Sequence, residues 1–168
     1  MRTLLLLRHA KSDWEAPFGR DHDRPLNARG RRAAALIGET LARLELVPDV
    51  VLTSSAVRAR TTVELAMAAG KWRSAVEVLP SLYDSSPAVV LGEIRRAPAS
   101  AGTLLVAGHQ PVWSALASEL IGGGQLHLPT AGLVAIEFDL PSWSLAAPGR
   151  GTLAWFVVPR MLERLGLD

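Results

Sequence analysis

Leu4-Leu5-Leu6-Leu7-Arg8-His9-Ala10 opens the chain with four consecutive leucines that stop at an arginine–histidine pair. Four residues are too few for the apolar core of a secretory signal, and no later run reaches membrane-spanning length. A short continuous apolar run reads instead as a strand buried on both faces, as a parallel sheet covered by helices demands.

The rest of the chain continues that pattern. A polar loop over 10–26 contains Pro17, Gly19 and Pro25. Asn27 is placed to cap a helix over 29–46, ended by Pro48. A second strand covers 49–53. Ser54 or Ser55 is placed to cap a second helix running to Ala69 and closed by Gly70. Val76 to Leu79 is a third strand, Pro87 opens a helix to Arg96, Thr103 to Ala107 is a fourth strand, and Pro111 to Ile121 a further helix. Alternating strands and helices with short connections define a parallel α/β sheet. After the break Gly122-Gly123-Gly124, two alternating segments, 132–140 and 151–158, read as an antiparallel hairpin. The expected fold is a single domain over 1–168. It is a three-layer α/β/α sandwich whose mostly parallel central sheet ends in an antiparallel C-terminal edge hairpin.

Composition narrows the function classes. The 168 residues are 49% hydrophobic and 20% charged, a globular profile long enough to bury a core without cross-links. The absence of cysteine removes disulfides, thiolate nucleophiles and cysteine-based zinc sites, and suits a reducing, cytoplasmic setting. A formal charge of +2 is not the footprint of a nucleic-acid binder, and nothing points to a membrane partner.

Three segments place reactive side chains where open α/β sheets bind ligands, beyond the carboxyl ends of strands. Arg8-His9 follows the first strand; taken alone, the pair reads equally well as a solvated loop. Gly108-His109-Gln110-Pro111 follows the fourth strand, and a second histidine at an equivalent strand end shifts the balance toward function. Thr53-Ser54-Ser55-Ala56-Val57-Arg58-Ala59-Arg60-Thr61 follows the second strand into a helix. Hydroxyls such as Ser54 and the free N–H groups of that helix start favour an anion, and Arg58 one turn in can reach it. Arg60, two positions on, points elsewhere. Two arginines, two histidines and a helix start at one sheet edge suit a phosphoryl group, whose transfer needs positioning and charge stabilisation. Histidine is also a covalent nucleophile: one ring nitrogen attacks while a backbone carbonyl holds the other.

These segments, with Asp21-His22-Asp23-Arg24-Pro25-Leu26-Asn27-Ala28-Arg29-Gly30, resemble the histidine phosphatase (phosphoglycerate mutase-like) superfamily, and within it the short SixA-type phosphohistidine phosphatases. The resemblance runs in order from residue 4 to about 120. It implies that His9 is the phosphorylated nucleophile, that Arg8 and Arg58 grip the phosphoryl oxygens, and that His109 stabilises their charge, with no metal or other cofactor. The chain departs from the larger mutases in two places. Ala10 stands where they carry glycine, which fits the SixA-type pattern. Leu82-Tyr83-Asp84-Ser85-Ser86-Pro87 lacks their glutamate general acid, leaving Asp84 and Asp21 as candidates. A phosphohistidine leaves as imidazole and needs an acid less than an alcohol does, since general acid catalysis is worth ~10²–10⁴-fold. The expected substrate is therefore a phosphohistidine protein of a signalling or phosphorelay type. A small phosphorylated metabolite and a non-catalytic phosphate-binding module are the alternatives.

Other features have ordinary readings. Asp21-His22-Asp23 lacks a third metal ligand at helical spacing and reads as a loop-ordering network. Trp113 and Trp143 read as packing, and Arg29, Arg31 and Arg32 as a solvated helix face. Lys11, Trp14 and Arg20, in the loop after His9, are candidate rim residues.

Overall fold

The computed structural model describes residues 1–166. Its strands are β1 (Arg2–Arg8), β2 (Val50–Ser54), β3 (Ala75–Leu79), β4 (Thr103–Gly108), β5 (Leu133–Phe138) and β6 (Thr152–Val157). They form one sheet in the order β3-β2-β4-β1-β5-β6. The first four run parallel, β5 pairs antiparallel with β1, and β6 pairs antiparallel with β5. The helices are α1 (Ala28–Arg43), α2 (Val57–Gly70), α3 (Pro87–Arg96), α4 (Val112–Leu120) and α5 (Pro159–Arg164). Among the described residues no helix is long and apolar enough to cross a membrane.

The leucine run explains the three layers. Successive side chains of a strand point to opposite faces. Leu4 and Leu6 therefore enter one core with Val90, Leu91 and Ile94 of α3 and Trp113 and Leu116 of α4. Leu5 and Leu7 enter the other, with Ile37 and Leu41 of α1, Val63 and Ala66 of α2 and Leu162 of α5. All four leucines are fully buried. Each contributes about 2 kcal/mol of hydrophobic stabilisation, so neither face of β1 accommodates a polar residue between Leu4 and Leu7. Trp113 and Trp143 are also fully buried, and their indole N–H groups donate to the carbonyls of Val106 and Ala101.

Two helix ends differ from the sequence expectation. Helix α1 stops at Arg43, before Leu46, because Glu45 adopts a left-handed conformation with φ 58°. The Leu46 N–H then donates to the Leu41 carbonyl and the Glu45 N–H to Ala42, a Schellman closure built without glycine. Helix α2 is capped by neither Ser54 nor Ser55: its N-cap is Ala56, which supplies no side-chain bond. Both serine hydroxyls are instead engaged by histidines. Gly70 does not close α2, since left-handed Lys71 does so one residue later. Gly70 serves close approach: a Cβ there would lie 2.2 Å from the Trp72 indole nitrogen.

Candidate active site

The carboxyl ends of β1, β2 and β4 meet at one cleft of about 240 Å³, lined by Arg8, His9, Lys11, Arg24, Arg58 and His109, with Ser12, Trp14, Gln110 and Thr130 around them. Backbone bonds fix the nucleophile candidate at the tip of β1. The His9 N–H donates to the Gly108 carbonyl and the His9 carbonyl accepts from Ala131. The next N–H, of Ala10, donates to Thr62 Oγ1, whose hydroxyl donates in turn to the Arg58 carbonyl. The loop bearing His9 is thus tied to β4, to the start of β5 and to α2.

His9 is buried, and its two ring nitrogens are distinguished by their partners. Nδ1 lies 2.7 Å from the Ala10 carbonyl, which can only accept, so Nδ1 carries the hydrogen. Nε2 accepts from Arg58 Nε–H at 3.3 Å, so its lone pair faces the cleft wall that carries the cations. Burial, followed by the charges of His109, Arg58 and Arg8, lowers the His9 pKa to about 3 against the opposing pull of the Ala10 carbonyl. At neutral pH His9 is an uncharged imidazole whose Nε2 carries an unprotonated lone pair, held at 3.3 Å by Arg58 Nε–H, the form a nucleophile requires.

Arg58 is buried and held from the far side by Asp21. Its Nη1 donates to the Asp21 carbonyl at 2.6 Å and its Nη2 to the Asp21 carboxylate at 2.9 Å, leaving Nε for the His9 side. The same carboxylate accepts from Arg24 Nη2 at 2.8 Å and from the Tyr83 hydroxyl at 3.2 Å. Burial would raise the Asp21 pKa, but hydrogen bonds and charge from Arg24 and Arg58 outweigh it and lower the pKa. Arg24 is itself buried; it also donates to Ser12 Oγ, and Trp14 stacks on its guanidinium at 3.6 Å. Arg8 donates Nη1 to the Leu128 carbonyl at 2.9 Å, and its buried Nε has no partner among the described residues.

His109 faces His9 with ring centroids 5.2 Å apart. Its approach depends on Gly108, where a Cβ would lie 2.1 Å from the Trp113 ring. Ser54 Oγ accepts the Ala56 N–H at 3.3 Å and lies 2.8 Å from His109 Nε2. The Ser54 hydroxyl has one hydrogen and two lone pairs, so it pairs with Nε2 in either tautomer of His109 and fixes the orientation of the ring. The His109 Nδ1 is buried with no partner among the described residues. Burial first, then the charges of Arg58 and Arg8, lowers the His109 pKa to about 4. His109 is therefore a neutral imidazole at pH 7.

Arg8, His9, Arg58 and His109 thus converge, as their places at strand ends suggested. Ser54 does not line the cleft: it is fully buried behind His109, which it orients. Neither acid candidate lines it. Asp84 is exposed, at a left-handed φ of 50°, and Asp21 is committed to two arginines. Of the rim candidates, Lys11 and Trp14 line the cleft, whereas Arg20 pairs with Asp23 outside it. Arg60 is exposed. His22 bridges Asp23 and Ser55, the loop-ordering network expected there, and among the described residues no group of three or more His, Cys, Asp or Glu side chains is disposed to hold a metal. The sequence reading missed Arg24 and Tyr83. Arg24 was visible as an arginine among loop residues, and Tyr83 as the only tyrosine, lying where a general acid was sought.

The histidine phosphatase superfamily (branch 1) matches residues 4–88, a segment containing Arg8, His9, Asp21 and Arg58 but ending before His109. An uncharacterised protein of Mycobacterium tuberculosis (strain ATCC 25618 / H37Rv) is 38% identical over 164 residues, covering 92% of this chain and all of that protein. Among solved structures, a candidate phosphohistidine phosphatase SixA from Nakamurella multipartitia superposes with a TM-score of 0.82 at 31% identity, over 94% of this chain and 96% of that one. The protein histidine phosphatase SixA in complex with tungstate shares the fold, with a TM-score of 0.83 at 24% identity over 95% and 99% of the two chains.

Proposed function

Since the chain belongs to the histidine phosphatase superfamily, we propose that it is a phosphatase that hydrolyses phosphohistidine on a protein through a covalent intermediate on His9. The observation that carries this reading is the charge of the cleft wall. Arg8, Lys11, Arg24 and Arg58 line it with two neutral histidines, and no carboxylate does. A cationic wall of this kind stabilises a phosphoryl group and its transition state. Without an adjacent acid, the wall favours a substrate whose leaving group departs readily.

The residues divide the reaction as follows. His9 Nε2 attacks phosphorus while Nδ1–H stays on the Ala10 carbonyl, which stabilises the charge developing on the ring. The P–N bond to the substrate imidazole breaks, and that imidazole departs with the bonding pair and takes a proton from water. Arg8, Arg58 and the imidazole of His109 hold the equatorial oxygens. Water then attacks phospho-His9, releasing inorganic phosphate and restoring the neutral ring.

Trapping tests this reading. Labelled phosphate transferred from a phosphohistidine protein should appear on the enzyme, survive alkali, be lost in acid and be absent from His9→Ala. Label retained in that variant overturns the nucleophile. Turnover of a phosphate-ester panel at an efficiency matching the phosphohistidine protein overturns the substrate class.

A further inference from the structure

The cleft continues past its own wall. Lys11 and Thr130 line both the cleft and a neighbouring groove of about 190 Å³ between the starts of α1 and α5. Arg29 of α1 and Arg160 of α5 flank that groove, Val158 contributes to its apolar floor, and Glu163 is its one carboxylate. Arg29 and Arg160 are exposed, and among the described residues neither they nor the Lys11 side chain forms an ion pair or hydrogen bond. Three cations against one anion leave a net positive trench leading from His9 to the protein surface.

Arg29 also opposes the preference of its own helix. It lies in the first turn of α1, which contains no acidic residue, and the positive end of a helix dipole favours acids over arginines. Local helix stability therefore does not account for Arg29. Real proteins tend to break such local preferences at functional sites.

We propose that this groove receives an acidic segment of the phosphorylated protein substrate, adjoining the residue whose phosphoryl group enters the cleft. The inference rests on the phosphohistidine-protein reading and specifies the partner: a protein carrying Asp or Glu side chains beside its phosphohistidine. Carboxylates meet Arg29, Arg160 and Lys11, while the apolar floor accepts the intervening side chain. Charges at such a rim act mainly on encounter and register, so the groove selects among substrates without entering the chemistry.

Two synthetic peptides, one with phosphohistidine flanked by Asp and Glu and one with it flanked by Lys, test the groove. Against the wild-type enzyme the acidic peptide should show a KM about tenfold lower, the scale of two exposed charges each shifting affinity a few-fold. In Arg29→Glu/Arg160→Glu that preference should vanish, with kcat and the turnover of free phosphoramidate unchanged. The helix-dipole argument predicts no loss in thermal stability from Arg29→Glu. Raising salt from about 0.1 M to about 1 M, which shortens the screening length from ~10 to ~3 Å, should erase the wild-type preference and leave the variant unmoved. A preference that survives the double variant overturns the proposal, as does an equal loss on phosphoramidate. Anisotropy with the unphosphorylated acidic peptide separates the two claims. If phosphohistidine is not turned over at all, the parent reading fails, whereas the groove fails only if that peptide binds wild type and variant alike.

Discussion

Asp21→Asn distinguishes an acid from a positioning residue. The carboxylate accepts from Arg58 Nη2 at 2.9 Å, from Arg24 Nη2 at 2.8 Å and Nε at 3.2 Å, and from the Tyr83 hydroxyl at 3.2 Å. Charged hydrogen bonds are worth ~1.5–3 kcal/mol when protected from water. The Asp21 side chain is 48% exposed, so screening reduces the contribution to roughly 1 kcal/mol per arginine, about 2 kcal/mol for the pair. Asparagine keeps one acceptor but turns its amide hydrogens toward a guanidinium, while the Asp21 backbone carbonyl still holds Arg58 Nη1. Arg58 should therefore be misaligned but not released. The expected fall in kcat is ~10–100-fold, which corresponds to about 1.4–2.7 kcal/mol of lost transition-state stabilisation. The assay compares kcat/KM for a phosphohistidine peptide, an aryl phosphate and an alkyl phosphate across pH. A positioning role gives the same proportional loss on all three. A general acid would give a loss confined to the alkyl ester, on the scale of ~10²–10⁴, together with disappearance of the basic limb of its pH profile. That pattern would refute the reasoning from Asp21's lowered pKa and its two arginine partners.

Two further predictions follow from the histidines. Ser54→Ala should lower kcat about tenfold, the scale of one lost hydrogen bond at ~1.4 kcal/mol; nitrogen NMR should show the His109 Nε2 resonance shifted by loss of its Ser54 partner, and an unchanged spectrum would refute the orienting role. Burial lowers His9 to about 3 and His109 to about 4, whereas an unfolded histidine titrates near ~6.5. Between those values the unfolded chain binds more protons, so this stabilisation is complete above about 6.5 and is lost as pH falls toward the folded values; thermal unfolding from pH 7 to 4 should show a shallower decline in His109→Ala, and parallel curves would refute it.

The sheet was legible because burial on both faces leaves an unbroken signal: Leu4 to Leu7 could serve two cores only as a strand between helices. Strand order was not legible, since nothing local in β2 or β4 states that β4 lies between β1 and β2. The ends of α1 and α2 were misplaced because Glu45 and Lys71 occupy left-handed positions for which glycine is the usual signal. At the site, Arg8 and His9 at the end of β1, His109 just after β4 and Arg58 in the first turn of α2 could be placed from sequence, because a strand end fixes where the chain that follows it begins. Arg24, Tyr83 and the true office of Asp21 could not. They come from the 10–26 loop and a 3₁₀ turn, segments whose path is set by tertiary contacts such as Tyr83 on Asp21 and Trp14 on Arg24.

That difference bears on the chemistry. Sequence alone left a general acid to be found, and both available carboxylates were natural candidates. The fold places Asp84 off the cleft wall and pairs Asp21 with Arg24 and Arg58, so on the proposed reading the nearest carboxylate aligns cations instead of donating a proton. Arg58 illustrates the trade: two of its nitrogens are fixed by Asp21, and the third addresses His9. On that reading the site gains orientation for phosphoryl transfer and takes no proton from Asp21 for the departing atom. Its efficiency should therefore rank substrates by how well their leaving groups depart unaided, which places imidazole ahead of an alkoxide and ties the substrate preference to the salt bridge behind Arg58.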